Sequence, residues 1–85
     1  MSRRTKDVNQ LFFEVLDDDS LLIEPDDSVA ALKAFKRWRH RNTRRRNTYY
    51  DKAAQLYVFK QDGRKIVRLL EKAGFLMVEG ISDCG

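Results

Sequence analysis

The stretch PDDSVAALKAFKRWRHRN, residues 25–42, predicts the central helix of this chain. The polar residues after the proline can accept hydrogen bonds from the free N–H groups of a first helical turn, the candidates being Asp26, Asp27 and Ser28. Apolar residues then recur at helical spacing on one face: Ala31, Ala34, Phe35 and Trp38. We therefore expect a helix from Val29 to about Arg41 that packs through this apolar face.

The opposite face of the same helix is basic. It carries Lys33, Lys36, Arg37, His40, Arg41 and, if the helix continued, Arg44. Continuation would also turn Asn42, Arg45 and Arg46 toward the apolar side. We therefore expect the helix to end, or to leave the body of the protein, near Asn42–Thr43, so that Arg44, Arg45 and Arg46 are exposed.

Charge is divided along the chain although the net charge is only +4. Residues 7–27 hold eight acids and no Lys or Arg, whereas residues 28–50 hold eight Lys or Arg and no acid. Mutual neutralisation is a weak reason for this division, because exposed ion pairs contribute only about 0–1 kcal/mol each. The division favours a basic surface that meets a partner outside the protein.

Toward the N-terminus, helical spacing of apolar residues predicts a helix from Lys6 to Leu16. The apolar positions are Val8, Leu11, Phe12, Val15 and Leu16. The alternative is that FFEVL forms a strand that turns at the cluster DDDS. The next segment, SLLIEP, is too short for a helix and predicts a buried strand.

Toward the C-terminus, Gln55–Lys60 is rich in β-forming residues and ends at the turn signal QDG, which favours a strand. A helix that continues from Tyr49 through Ala53 and Tyr57 is the alternative. Arg64–Ala73 predicts an amphipathic helix that Asp62 caps and Gly74 closes, with a buried stripe of Ile66, Leu69, Leu70 and Ala73. Phe75–Glu79 then predicts a last strand.

These elements predict one small α+β domain over residues 1–85, in the order α-β-α-β-α-β, with a three-stranded sheet packed by helices. An all-α helical bundle is the alternative, because both ambiguous segments can be helical. Residues 1–5 are expected to form a flexible basic arm and residues 80–85 a frayed tail. A core this small is also compatible with a homodimer.

Several classes of protein are disfavoured by composition. Cys84 and His40 are the only residues of their kind, so an internal disulfide and a zinc site are not expected. No apolar run approaches the ~18 residues of a membrane span, and no apolar segment follows the basic N-terminus as in a secretory signal. With no glycine loop for phosphates either, we expect a cytoplasmic protein without enzymatic activity, cofactor or metal.

The basic run favours nucleic-acid binding, because Lys and Arg that neutralise phosphates release condensed counterions. The candidate contacts are Lys33, Lys36, Arg37, His40, Arg41, Arg44, Arg45, Arg46 and Tyr49. Only one of Tyr49 and Tyr50 can face inward on a regular element, and the other could stack on a base. Trp38 is expected in the core. No base-reading motif is present, so DNA and RNA, and single and double strands, remain open.

The alternative function is a protein-binding module, such as an inhibitor or adaptor that docks an acidic partner protein. Arg beside Trp and Tyr is also the composition of a protein–protein hot spot. In this alternative the acidic segment 17–27 could dock a second surface.

Overall fold

The computed structural model of the chain describes residues 9–25, 28–43 and 47–81. Across these residues the structure contains strands and helices in the order β-β-α-β-β-α-β. They are β1 (Gln10–Val15), β2 (Leu21–Glu24), α1 (Val29–Asn42), β3 (Thr48–Asp51), β4 (Leu56–Phe59), α2 (Gly63–Lys72) and β5 (Leu76–Glu79). The α+β class is confirmed, and the all-α alternative is wrong.

The strands form one five-stranded sheet in the order β3-β4-β2-β1-β5. β5 runs parallel to β1, and all the other neighbouring strands are antiparallel. The predicted three-stranded sheet and the α-β-α-β-α-β order are therefore wrong in detail. The two additional strands are β1 and β3. We predicted a helix where β1 lies and assigned no element where β3 lies.

β1 replaces the helix predicted for Lys6–Leu16 and confirms the alternative, a strand at FFEVL that turns at DDDS. Along it Leu11 and Phe13 are buried whereas Glu14 is exposed, which is the period of two that a strand shows when one face meets a core. A short apolar cluster fits both the helical and the strand period, and a tight turn after Leu16 returns the chain to pair with β2. Residues 6–8 of the predicted helix lie outside the described residues.

β3 and β4 form the second hairpin of the sheet, and β4 confirms the strand predicted at Gln55–Lys60. The alternative helix through Tyr57 is wrong. Between the strands, the Asp51 carboxylate accepts hydrogen bonds from the backbone N–H groups of Ala53 and Ala54 at 3.0 and 3.2 Å. This local hydrogen bonding closes a turn and competes with a continued helix.

Both helices cover the same face of the sheet. Register places Phe13 opposite Ile23 and Leu21 opposite Phe59, so these side chains share one face. The core cluster joins that face to both helices: Leu11, Phe13, Leu21, Ile23, Tyr57 and Phe59 from the strands, Phe35 from α1, Ile66 and Leu70 from α2, and Phe75. Phe35 is fully buried, with its ring centroid 4.9 Å from that of Tyr57.

α1 confirms the predicted helix and its ends. The Ser28 hydroxyl oxygen accepts a hydrogen bond from the Ala31 N–H at 3.2 Å, which is an N-cap contact. The helix ends at Asn42, as the change of face in the sequence predicted. Thr43 then turns to an extended conformation while both its N–H and its hydroxyl donate to the Arg39 carbonyl oxygen.

α2 is present as predicted but begins differently. Asp62 stands at the N-cap position in the left-handed region, with φ of 62°, and makes no side-chain cap hydrogen bond. Asp19, in the β1–β2 turn, accepts from the Gly63 N–H through its carbonyl oxygen at 2.9 Å and from the Arg64 N–H through its carboxylate at 3.4 Å. A residue of the acidic segment thus caps the second helix across the fold.

The C-terminal end of α2 confirms Gly74 as the closing residue, at φ of 105°. The Phe75 N–H donates to the Leu70 carbonyl oxygen, and both side chains are buried, as in a Schellman cap. Two residues of the predicted buried stripe are corrected, because Leu69 and Ala73 are exposed. Leu69 lies at the edge of the apolar arc, and Ala73 is the C-cap residue that follows the last turn of α2.

Some predictions fall on residues outside the described ranges. These are the basic arm at residues 1–5, part of the predicted tail (residues 82–85) and the three arginines at 44–46. Within the described ranges, neither helix has the length and apolar character needed to cross a membrane.

Candidate functional site

The outward side of α1 presents a cationic stripe, which we define as Lys33, Lys36, Arg37, His40 and Arg41. All five side chains are exposed. Their spacing repeats every three to four residues, so they line one side of the helix while Ala31 and Phe35 bury the other. The structure therefore brings these five predicted site residues together.

The four Lys and Arg of the cationic stripe are not neutralised by the described part of the protein. Among residues 9–25, 28–43 and 47–81, we find no ion pair between a carboxylate and Lys33, Lys36, Arg37 or Arg41. The first turn of α1 also contains no acid. Within the described ranges, these four side chains therefore form an exposed positive surface.

Two carboxylates of the acidic segment have local structural partners. Hydrogen bonds from the Ser20 hydroxyl and the Ser20 N–H lower the pKa of Asp18 below its ordinary value, and the Ser20 N–H contact measures 2.9 Å. Asp19 caps α2 as described above. The Asp18 contacts lie within the β1–β2 turn, and the Asp19 contacts hold this turn against the second helix.

Two further residues of the basic run point inward and not along the stripe. The Trp38 ring lies 6.3 Å from the Phe35 ring, with 19° between their planes, and Trp38 is half-buried against the core, as predicted. The Arg39 guanidinium lies 5.2 Å from the centre of the Tyr57 ring. Burial raises the pKa of the Tyr57 phenol, although the nearby Arg39 charge acts in the opposite direction.

Tyr49 is a predicted site residue that the structure separates from the cationic stripe. It pairs with Val58 and so faces away from the helices, whereas Tyr50 pairs with Tyr57 on the helix side. Both tyrosines are exposed, at 46% and 42%, because β3 is an edge strand. Lys60 covers part of the Tyr49 ring, with its ammonium nitrogen 5.5 Å from the ring centre.

α2 contributes cations that the sequence analysis did not include in the site. Its exposed basic residues are Arg64, Lys65, Arg68 and Lys72. Their helical spacing, on the side opposite the buried Ile66 and Leu70, could have identified this basic surface from the sequence. The pattern is weaker than that of residues 28–50, because the acid Glu71 lies among these cations.

A cleft opens between the C-terminal end of α1 and one flank of α2, with a volume of about 260 Å³. We call it the α1–α2 cleft. Apolar surface comes from Trp38, Phe59, Ile66 and Leu69, and polar groups come from Asn42, Thr43, Asn47, Thr48, Gln61, Asp62 and Lys65. The four neutral polar residues that follow Arg41 in the described sequence therefore meet α2 in one concave site.

The open face of the sheet, opposite the helices, has different chemistry. Register places the carboxylates of Glu14, Glu24 and Asp51 on it, beside apolar residues such as Leu22 and Val58. Neither described helix packs on this face. The cationic helix layer and the acidic open face thus lie on opposite sides of one sheet.

No protein-family model matches this chain, and no curated protein or solved structure matches it either.

Proposed function

We propose that this protein binds nucleic acid through the cationic stripe of α1. The observation that carries the proposal is the exposed set of Lys33, Lys36, Arg37 and Arg41, which form no ion pair with a carboxylate of the described ranges, on a helix whose other side is fixed in the core. His40 belongs to the same surface. Arg44, Arg45 and Arg46, which follow α1 in sequence, are included as further phosphate contacts.

The dimensions of the stripe suit a phosphate backbone. From Lys33 to Arg41 the helix rises about 12 Å, at about 1.5 Å per residue. One strand of a duplex presents a phosphate about every 3.4 Å of axis, so the stripe is as long as about three or four phosphates. Arginine suits this role because its planar guanidinium can donate two hydrogen bonds to one phosphate.

α1 is also held in place before any ligand binds. Phe35 is buried between Tyr57 and Phe59, and Ser28 caps the first turn. A helix fixed in this way does not have to be ordered on binding, which preserves affinity. The cations of α2 extend the basic surface of the same layer.

The proposed contacts are to phosphate and carry no base sequence, so we expect similar affinity for unrelated sequences. The test is fluorescence anisotropy with labelled oligonucleotides over a series of salt concentrations. The variant Arg37→Ala/Arg41→Ala is expected to weaken binding and to reduce the slope of log K against log salt by about 1.4 for single strands or 1.8 for duplexes.

Lys52→Ala/Lys60→Ala is the matched control, because it removes the same charge from the β3–β4 turn and the residue after β4. Equal losses in the two variants would mean that net charge alone drives binding and would contradict the proposed site. A stoichiometric acidic protein that stays bound after nuclease treatment, together with no oligonucleotide binding, would favour the protein-binding alternative.

A further inference from the structure

The α1–α2 cleft combines two kinds of surface that the cationic stripe lacks. Its apolar walls include the half-buried Trp38 and Leu69, which is 41% exposed although it continues the apolar side of α2. Its rim carries the exposed amides of Asn47 and Gln61, the ammonium of Lys65 and the carboxylate of Asp62. A flat group that is apolar on its faces and polar at its edges fits this combination.

The amides on the rim match the edge of a nucleobase. An amide side chain offers both a hydrogen-bond donor and an acceptor, and it can pair with a base edge through both. Asn42 donates from its side chain to the Trp38 carbonyl oxygen at 3.0 Å, which holds Asn42 at the cleft. Asn47 and Gln61 are the exposed amides that remain for a ligand.

The size of the cleft limits what it can hold. Its volume of about 260 Å³ lies below the roughly 300–1,000 Å³ of sites that enclose a whole small ligand. One ring system therefore fits better than a complete nucleotide, and a sugar and its phosphates would stay outside. Lys65 lines the cleft, and Arg41 lies in the last turn of α1, so cations are available where the backbone would pass.

We propose that the α1–α2 cleft takes one unpaired nucleobase, so that the protein binds single-stranded in preference to duplex nucleic acid. This inference rests on the proposed function and adds the substrate class. In a duplex every base is stacked and its pairing edge is occupied, so no base can enter the cleft unless it leaves the helix. In a single strand, stacking on an aromatic side chain and pairing to amides are both available.

Trp38 makes the test direct, because it is the only tryptophan in the chain and it lines the cleft. Trp38 emission is followed while a ten-nucleotide single strand of mixed sequence, or the duplex of the same sequence, is added. We expect the single strand to quench Trp38 emission and to bind about tenfold more tightly, the scale of one stacked base. The duplex is expected to bind through the stripe without quenching.

The variant Asn47→Ala/Gln61→Ala isolates the cleft, since both side chains are exposed and outside the core cluster. We expect it to lose most of the tenfold preference while the salt slope stays unchanged. Gln55→Gly is the matched control: it removes an amide in the β3–β4 turn, where φ of 57° suits glycine. Far-UV circular dichroism checks that each variant is folded.

Equal affinity for the single strand and the duplex, with no change in Trp38 emission, would overturn the inference and leave binding by the stripe intact. A preference that survives in Asn47→Ala/Gln61→Ala would overturn the assignment to this cleft. If neither oligonucleotide binds at low salt, the proposed function fails, and this inference fails with it.

Discussion

The two faces of the sheet show how one alternating sequence pattern serves two different surroundings. On the covered face, Leu21 and Ile23 are fully buried beneath the helices. On the open face, their neighbour Leu22 is only half-buried and lies near Glu14 and Glu24. The strand carboxylates Glu14 and Glu24 and the cations of α1 thus lie on opposite sides of the sheet. Separation across the sheet keeps the cations of α1 away from the strand carboxylates of the open face.

The largest predicted effect compares adjacent leucines on the two faces. Leu21→Ala removes a fully buried side chain and is expected to lower the free energy of unfolding by about 3–5 kcal/mol. Leu22→Ala, which makes the same chemical change on the open face, is expected to lower it by about 1 kcal/mol. Urea denaturation followed by circular dichroism measures both.

Equal losses at the two positions would show that the open face is as well covered as the helix side. That result would contradict the contrast between the faces. If the stability lost in Leu22→Ala alone depended on protein concentration, a second copy of the chain would cover the open face, since an oligomer's stability varies with protomer concentration.

The sequence predicted best those segments in which local and long-range preferences agree. α1 has a cap, a clean apolar face and a change of face where it ends, and each of these features is found in the structure. β1 was predicted only as the alternative to a helix, because the cluster FFEVL satisfies two periods. Only its pairing with β2 and β5 decides between them. β3 was missed because TYYD has no alternation of its own and is a strand through its pairing with β4.

The candidate site shows the same limit. The exposed cations of α1 could be predicted because one helix places them by its own geometry. The α1–α2 cleft could not, because Gln61 and Lys65 reach Asn47 only through the tertiary fold. Tyr49 joined the predicted site by proximity in sequence, and the strand alternation of β3 turned it to the opposite face.

A second prediction concerns the attachment of the helix layer to the acidic hairpin. A Cβ at Gly63 would lie 2.8 Å from the Asp19 carbonyl oxygen and 3.2 Å from the Leu21 Cβ. Gly63→Ala should gain up to about 1 kcal/mol in helix propensity, yet we expect a net loss of about 1–3 kcal/mol because the contact is too close. Lys65→Ala, an exposed position in the same turn, is the control and should change the unfolding free energy by less than about 0.5 kcal/mol. Stabilisation by Gly63→Ala would mean that the β1–β2 turn leaves room for a Cβ at the start of α2.

A third prediction sharpens the description of α1 as a preformed binding element. Ser28→Ala removes the hydroxyl that accepts from the Ala31 N–H and should lower stability by about 1 kcal/mol. Ser28→Asp restores a cap acceptor and should recover most of that loss. Thermal unfolding of the three proteins side by side measures it. No recovery in Ser28→Asp would assign the loss to another contact of Ser28.

The smallest effect is a pH dependence confined to the acidic side. Because its hydrogen bonds with Ser20 hold the pKa of Asp18 below the ordinary value of 3.8, the ionised form stabilises the fold. That contribution is present above pH 3.8 and is lost as the pH falls through the lower folded-state pKa. Asp18→Asn keeps an acceptor for the Ser20 N–H but does not titrate, so the wild type should be slightly more stable at pH 7 and the two should converge as the pH falls through the lowered pKa. Asp17→Asn controls for the removal of one negative charge. A stability difference between wild type and Asp18→Asn that stays constant from pH 7 to pH 2 would exclude the carboxylate of Asp18 as its source.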